Sequence, residues 1–236
     1  MEHEEYTAEN YPSFGKKYNN EKAIISLTSW KARINTVSKT LFSLLKQCPG
    51  FHIVLVLSEE EFPKMMDELP DNLKLFVDNE LIEILWVFRN YKSFKKVLFT
   101  MDKYRTVPVI SADDDCIYTC NYAQMLYDKW LENKDCIITF NSAKYFEKYY
   151  MCQGPCTLYS PNTFCVDDKI YKILNKALLV GSHDDYFYSV LLKVKPIALN
   201  KKAPFVFHDS VEPLTRKPYS MSDRKKLFTQ YENCLF

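Results

Sequence analysis

The stretch Val107-Pro108-Val109-Ile110-Ser111-Ala112-Asp113-Asp114-Asp115 is an apolar run that leads directly into three aspartates. Short, β-branched runs of this kind are typical of strands buried on both faces of a parallel sheet. Ala23 to Thr28 and residues 51–57 have the same character. These three segments predict a core of buried parallel strands, with the aspartate triplet at the end of one of them.

Segments with helical spacing of apolar residues alternate with the predicted strands. This spacing predicts helices over residues 34–47, 59–69, 93–104, 121–131, 167–179 and 184–192. Pro70 is expected to end the second helix and Ser93 to cap the third. With a further strand at 136–140, the alternation predicts an α/β fold whose mostly parallel sheet is covered by helices on both faces.

The chain of 236 residues is expected to form a polar N-terminal arm, residues 1–22, and a single domain, residues 23–236. Residues 23–140 resemble a nucleotide-binding unit, and residues 141–236 a substrate-binding half that is irregular after residue 193. Ligands of open α/β sheets bind at the carboxyl ends of the strands. The triplet lies at such an end.

Composition narrows the classes of function. With 31 basic and 30 acidic residues the net charge is +1, which argues against a nucleic-acid partner. Four glycines cannot supply a glycine-rich phosphate loop, so a phosphate site must use side chains or a metal. The eight cysteines lack zinc-site spacing and are expected to be mostly buried, reduced thiols of a cytoplasmic protein. Association with the inner face of the membrane stays open, because a lipid-linked acceptor requires no spanning helix.

The triplet Asp113-Asp114-Asp115 places three mutually repelling carboxylates side by side. A divalent cation relieves this repulsion, and oxygen ligands suit Mg²⁺ or Mn²⁺ completed by substrate phosphates. A solvated loop is the alternative.

Three other polar groups have both a functional and a structural interpretation. Asp184-Asp185 begins a predicted helix, where the carboxylates either complement the helix dipole or provide a general base. His208 follows a short strand and is either structural or a further metal ligand. The run around Lys95 and Lys96 is either a solvated face or a partner for a leaving diphosphate.

Taken in order, these motifs resemble family 2-like bacterial surface-polysaccharide glycosyltransferases with a GT-A fold. The resemblance spans residues 23–195 and is strongest at Asp113-Asp114-Asp115-Cys116-Ile117-Tyr118, which is similar to that group's form of the Asp-x-Asp motif. It also includes Ile24-Ile25-Ser26-Leu27-Thr28-Ser29-Trp30 with Arg33, the loop from Gly154 to Pro161, and Asp184-Asp185. The loop carries less glycine than is usual for the group, and the tail beyond residue 200 has no counterpart.

The resemblance implies an inverting transfer from a nucleotide-sugar donor to a glycan or lipid-linked acceptor. A UDP-sugar is the donor that we expect first. Asp185 would be the catalytic base, and Asp184 would orient the acceptor or exchange roles with Asp185. The metal, Mn²⁺ or Mg²⁺, would be held by Asp115 and Asp113, with His208 added from the expectation for the fold. The residues expected to bind the donor are Ser26, Thr28, Arg33, Lys96, Asp113 and Asp114.

Two other functions remain as alternatives. A sugar nucleotidyltransferase would share the fold and the metal, but its glycine-rich N-terminal loop is missing here. A non-catalytic carbohydrate-binding protein would keep its binding activity after loss of the acidic residues.

Overall fold

The computed structural model describes residues 22–47, 50–152, 154–164, 166–192, 194–208 and 219–236. The predicted arm, residues 1–22, lies outside the described residues except for Lys22. The central sheet contains seven strands, which are β1 (Ala23–Thr28), β2 (Phe51–Ser58), β3 (Glu83–Val87), β4 (Val109–Ser111), β6 (Ile138–Thr139), β9 (Thr157–Tyr159) and β10 (Ile197–Ala198). Their order across the sheet is β3-β2-β1-β4-β9-β6-β10. Strand β9 is antiparallel to both of its neighbours, and the other paired strands of this sheet are parallel.

Seven helices accompany the sheet in the described part of the chain. They are α1 (Val37–Leu45), α2 (Asp71–Asp78), α3 (Lys95–Lys103), α4 (Tyr122–Glu132), α5 (Asp168–Val180), α6 (Asp184–Leu192) and α7 (Met221–Asn233). Two small antiparallel pairs lie outside the sheet, β5 (Cys116–Tyr118) with β11 (Phe205–Phe207) and β7 (Ser142–Tyr145) with β8 (Tyr149–Cys152).

The apolar residues of β1 and β2 divide between the two faces of the sheet, as the strand period of two requires. Ile25 and Ile53 belong to one buried cluster, together with residues of α1, α2 and α4. Ile24 and Val54 belong to a second cluster, together with residues of α3, α5, α6 and α7. The predicted α/β fold, with a mostly parallel sheet and helices on both faces, is therefore confirmed.

Three local predictions are wrong, and prolines account for the first. Residues 59–69 are not a helix: they form turns with a short 3-10 segment, Met65–Glu68, and α2 begins after Pro70. Pro63 breaks the predicted helix because it lacks an N–H, whereas proline is well suited to the start of a helix, as at Pro70. Pro70 therefore precedes a helix here instead of ending one.

The other two errors concern a helix cap and the C-terminal segment. The hydroxyl of Ser93 does not cap α3 but donates to the carbonyl oxygen of Ser182 at 2.5 Å. The segment after residue 193 is not irregular throughout, since it contains α7. Ser220 and Asp223 cap this helix reciprocally, each side chain accepting from the other residue's backbone N–H.

The described cysteines are free thiols, and Cys116, Cys156 and Cys234 among them are buried while Cys120 is exposed. No helix in the described ranges is both long and apolar enough to cross a bilayer.

Candidate active site

A cavity of about 980 Å³ opens where β1 and β4 end. Its walls include Thr28 from the end of β1, the triplet that follows β4, and the acidic pair at the start of α6. The fold thus brings together two acidic groups that are about 70 residues apart in the sequence. The geometry of these groups determines what the cavity can do.

The three aspartates of the triplet have different environments. Asp114 is 6% exposed, and its two carboxylate oxygens accept from Arg33 Nη1 at 2.7 Å and from Ser29 Oγ at 2.7 Å. The side chains of Asp113 and Asp115 are more exposed, at 33% and 15%. Asp115 Oδ2 also lies 3.1 Å from Arg33 Nη1. Asp114 therefore anchors the loop through Arg33 and Ser29. It lines the cavity together with Asp113 and Asp115, so the donor contact expected of it stays a prediction.

Lys96 joins the triplet to the acidic pair. Its Nζ lies 2.6 Å from Asp113 Oδ1 and 2.7 Å from Asp184 Oδ2, and the residue is 3% exposed. Burial disfavours the charge on Lys96, but Asp113, Asp184 and Asp185 outweigh burial and raise its pKa well above the ordinary value. A buried ammonium ion with two carboxylates fixes the spacing between the two halves of the site. The solvated-face interpretation of Lys95 and Lys96 is wrong, since both are buried.

Asp185 lines the cavity at the start of α6. Burial, followed by the charge of Asp184, raises the pKa of Asp185 well above its ordinary value, against the opposing effect of Lys96. Burial raises the pKa of Asp184 too, while Lys96 counteracts it. Catalytic carboxyl groups are commonly tuned upward in this way, towards the working pH.

Gly154 packs directly against the Asp185 carboxylate. A Cβ atom at this position would lie 2.5 Å from Asp185 Oδ1, so a side chain here would displace the carboxylate. The carbonyl of Gly154 accepts from Ser111 Oγ at 2.5 Å, which ties the turn to the end of β4. Gly154, the first residue of the loop that belongs to the resemblance, thus contacts the predicted base.

His208 lines the same cavity beside the triplet. Its backbone N–H donates to the Asp115 carbonyl at 3.0 Å, and its Nε2 lies 3.1 Å from Thr40 Oγ1. The cavity is therefore lined by Asp113, Asp115 and His208, the three predicted metal ligands.

The carboxylates of Asp113 and Asp115 are oxygen donors that suit a hard divalent cation. In the described part of the chain, no group of three or more His, Cys, Asp or Glu residues is arranged as a metal cluster. The two carboxylates fit a cation that takes its remaining ligands from a substrate diphosphate, as Mg²⁺ commonly does. The metal site stays a prediction on this basis.

Of the predicted residues at the end of β1, one lines the cavity and the other does not. Thr28 does, and its hydroxyl donates to the Val56 carbonyl at 2.7 Å. Ser26 is fully buried, and its hydroxyl bonds to the Lys96 carbonyl and to Thr100 Oγ1. The assignment of Ser26 to donor contact is thus corrected: the side chain points to α3, where it supports the start of the helix that carries Lys96.

The sequence indicated Lys95 only as a member of the basic run, whereas its ammonium group is buried at the cavity wall. Lys95 is 1% exposed, and its Nζ donates to Asn90 Oδ1 and the Lys92 carbonyl, both at 3.2 Å. Glu61 Oε2 lies 3.7 Å away. Burial lowers the pKa of Lys95 to about 8, against the opposing charges of Glu61 and Asp114. The position of Lys95 at the first turn of an amphipathic helix was the available signal.

His183 was missed as a cavity residue. Its Nε2 lies 2.8 Å from the Tyr219 hydroxyl, and its Nδ1 lies 3.2 Å from the Tyr231 hydroxyl. Burial lowers the pKa of His183 below its ordinary value, which favours the neutral ring. Tyr219 and Tyr231 come from the C-terminal segment, so that segment helps to build the wall beside the acidic pair.

Comparison with solved structures establishes the type of fold. The chain superimposes on residues 1–349 of TarS from S. aureus in complex with UDP with a TM-score of 0.54 and 11% identity, covering 90% of this chain and 71% of that one. A second structure of TarS 1–349 gives a TM-score of 0.50 at 11% identity, with 91% and 71% covered. The structure of 4-diphosphocytidyl-2C-methyl-D-erythritol synthase gives 0.51 at 11% identity, with 81% and 94% covered.

No protein-family model and no curated protein matches the chain. The comparison therefore rests on the solved structures. At 11% sequence identity these structures show the fold alone. The fold is a GT-A-like α/β fold with a mostly parallel central sheet.

Proposed function

We propose that this chain is a metal-dependent glycosyltransferase that moves a sugar from a nucleotide-sugar donor to an acceptor hydroxyl group. The observation that carries the proposal is the pairing of the triplet with the Asp184-Asp185 pair across one cavity, bridged by the buried Lys96. A fold shared with TarS, which was crystallised with UDP, supports a uridine nucleotide as the donor's leaving part. Assignment to the family 2-like enzymes of surface-polysaccharide synthesis, with a glycan or lipid-linked acceptor, belongs to the same proposal.

In this proposal the diphosphate of the donor lies at the triplet. Asp113 and Asp115 face the cavity and, with His208, would hold Mn²⁺ or Mg²⁺ against the diphosphate oxygens. The cation, when bound, neutralises the charge that develops on the leaving group. Arg33 and Lys96 add fixed positive charge at the same place, and Arg33 is held there by Asp114.

The acceptor is activated at the acidic pair. Asp185 takes the proton from the acceptor hydroxyl as its oxygen attacks the anomeric carbon of the donor sugar. The bond between that carbon and the phosphate oxygen breaks, and the nucleoside diphosphate leaves with the bonding electron pair. One displacement of this kind inverts the anomeric configuration and needs no covalent enzyme intermediate.

Substitution of Asp185 by Asn tests the base. Asparagine keeps the size of the side chain but cannot accept the proton, so turnover should fall roughly 10²- to 10⁴-fold while UDP binding changes little. Turnover is measured by UDP release and binding by calorimetry. Asp67→Asn makes the same chemical change at an exposed position outside the cavity and should leave both unchanged. Near-normal turnover in Asp185→Asn would remove Asp185 as the base.

Removal of the metal tests the triplet. EDTA should abolish UDP release from a panel of UDP-sugars, and Mn²⁺ or Mg²⁺ should restore it. Asp115→Asn should shift the metal dependence to higher concentrations, because one anionic ligand becomes neutral. Full turnover in EDTA, or an unchanged metal titration in Asp115→Asn, contradicts the proposed role.

A sugar nucleotidyltransferase is the second candidate. It is favoured by the likeness to 4-diphosphocytidyl-2C-methyl-D-erythritol synthase, 94% of which is covered. The two reactions differ in the released product, a nucleoside diphosphate for the glycosyltransferase and pyrophosphate for the nucleotidyltransferase. Pyrophosphate released from UTP or CTP with a sugar phosphate would favour the second candidate. A carbohydrate-binding protein would release neither product.

A further inference from the structure

Phe207 is the most exposed aromatic residue of the cavity wall. It lines the cavity and is nevertheless 70% exposed. Phe205, two residues earlier on β11, is half-buried against Tyr118, with ring centroids 5.9 Å apart. Because alternate residues of a strand share a face, Phe207 continues this apolar face beyond the core and into the cavity.

The backbone fixes the ring beside the triplet. Phe207 is paired with Cys116 in the β11-β5 ladder, and Cys116 directly follows Asp115. The next residue, His208, donates its N–H to the Asp115 carbonyl at 3.0 Å. The Phe207 ring also makes an edge contact with Phe205, at 5.3 Å and 76° between planes. The ring is therefore supported at one side and largely open to solvent.

We propose that Phe207 is a stacking platform for a pyranose ring of the acceptor. This inference rests on the proposed glycosyltransferase function and adds the chemical class of the acceptor, a glycan with an apolar ring face. A hexose in the pyranose form presents C–H groups on its faces and hydroxyl groups around its edge. An exposed aromatic ring among polar groups complements that pattern, because stacking buries the apolar face while the hydroxyl groups find polar partners.

The remaining wall supplies those polar partners. Tyr186 and Tyr219 line the cavity on the side of the acidic pair, and Asp185 is the proposed base there. An acceptor that rests on Phe207 therefore has phenol and carboxylate groups available in the same cavity. Tyr149 does not share this role, since it stacks on Phe228 in the core at 4.4 Å.

The exposure of Phe207 assigns the platform to the acceptor and not to the donor. In the proposed function the transferred sugar lies between the triplet and Asp184-Asp185, which Lys96 joins in the interior of the cavity. Phe207 stands at the solvent side of the triplet with most of its surface open. The substrate that arrives from solvent to meet the bound donor is the acceptor.

The test uses full-length protein with UDP and Mn²⁺, titrated with methyl glucopyranoside, methyl galactopyranoside and methyl mannopyranoside and followed by ligand-observed NMR. Phe207→Ala should weaken binding of the best of these pyranosides roughly three- to tenfold, which is the contribution expected of an aromatic stacking contact. Phe207→Trp should retain binding. Phe88→Ala is the matched control, because Phe88 is 85% exposed and lies outside the cavity lining. It should bind like the wild type.

Two results would overturn the inference. One is pyranoside binding that is unchanged in Phe207→Ala or undetectable in the wild type. The other is a loss of UDP-sugar affinity relative to UDP in Phe207→Ala, which would assign the ring to the donor sugar. Failure of the proposed function is distinguishable, because it would appear as absent UDP-sugar turnover in the wild type.

Discussion

Adjacent aspartates acquire different roles because their backbone positions point them to different surroundings. All three line the cavity, but Arg33 and Ser29 bind both carboxylate oxygens of Asp114, whereas the side chains of Asp113 and Asp115 are more exposed. The sequence was sufficient to predict the acidic groups of the site, because three carboxylates after a buried strand have few structural uses. The sequence was not sufficient to predict which of the three carboxylates turns into the protein interior. That depends on Arg33, which lies about 80 residues earlier in the chain.

Lys95 shows more clearly that the surroundings of a side chain cannot be predicted from its local sequence. Lys92 and Lys95 look equivalent in the sequence, yet Lys92 is exposed and Lys95 is 1% exposed. The difference comes from the direction of the helix and from the partners that meet there. The α3 side chains lean toward the N-terminus, which brings Lys95 Nζ back to the Lys92 carbonyl and Asn90. The helical position of Lys95 can be inferred from the sequence, whereas the partners that meet its ammonium group in the folded chain cannot.

The lowered pKa of Lys95 predicts a pH-dependent stability. The folded protein releases this proton near pH 8, whereas an unfolded lysine keeps it to about pH 10.4. Between these values the unfolded state binds more protons, so the contribution of Lys95 to the free energy of unfolding rises with pH. The groups that face this ammonium are Glu61, Asn90, Asp114 and the Lys92 carbonyl.

Denaturant unfolding at pH 7.5 and pH 9.5 checks this expectation. The wild type should gain stability relative to Lys95→Met as the pH rises, by less than about 3 kcal/mol in total. Lys39→Met, at an exposed position of α1, should follow the wild type at both pH values. Parallel pH profiles for the wild type and Lys95→Met would show that the Lys95 proton does not contribute.

At the scale of elements, the buried strands and the amphipathic helices followed from hydrophobic periodicity. Strand β1 occupies Ala23–Thr28 as predicted, and α6 occupies Asp184–Leu192 as predicted. Prediction failed where local signals compete. A proline can follow the end of one helix or precede the start of another. Pro70 directly precedes α2 and does not end a helix over residues 59–69. The signature Ser220-x-x-Asp223 was overlooked in a segment rich in lysine and proline.

The capping box gives α7 a measurable contribution. Ser220→Ala removes the side-chain acceptor for the Asp223 N–H and should cost about 0.5–2 kcal/mol of unfolding free energy. Urea denaturation measures the change. Thr229→Ala, at an exposed position within the same helix, should stay within about 0.5 kcal/mol of the wild type. Equal stabilities for Ser220→Ala and Thr229→Ala would mean that the cap contributes little.

At the scale of the whole molecule, residues distant in the chain complete one site around the carboxyl edge of the sheet. The two acidic groups of the cavity come from both predicted halves, since the triplet belongs to residues 23–140 and the acidic pair to residues 141–236. A ligand that binds this cavity in the folded state shifts the unfolding equilibrium by mass action.

UDP with Mn²⁺ should therefore raise the melting temperature. At 100 times the dissociation constant the gain is about 2.7 kcal/mol, which corresponds to a shift of roughly 5–10 °C for a chain of this size. EDTA should remove the part of the melting-temperature shift that depends on the metal. Asp115→Asn should show only the part of the shift that does not depend on it. Identical melting curves with and without UDP and Mn²⁺ would indicate that the cavity is not the nucleotide site.

Strand β9 also has a consequence for how the chain folds. It lies between β4 and β6, so β6 has no direct pairing with β4 among the described strands. Strands β1 to β4 can pair as soon as residue 111 has been synthesised, but the β4 edge stays uncovered until residues 157–159 follow. An open edge of apolar residues such as Val109 and Ile110 is a template for association with other chains. Chains that stop between residues 111 and 157 should therefore aggregate, because the antiparallel strand is what closes the nascent sheet.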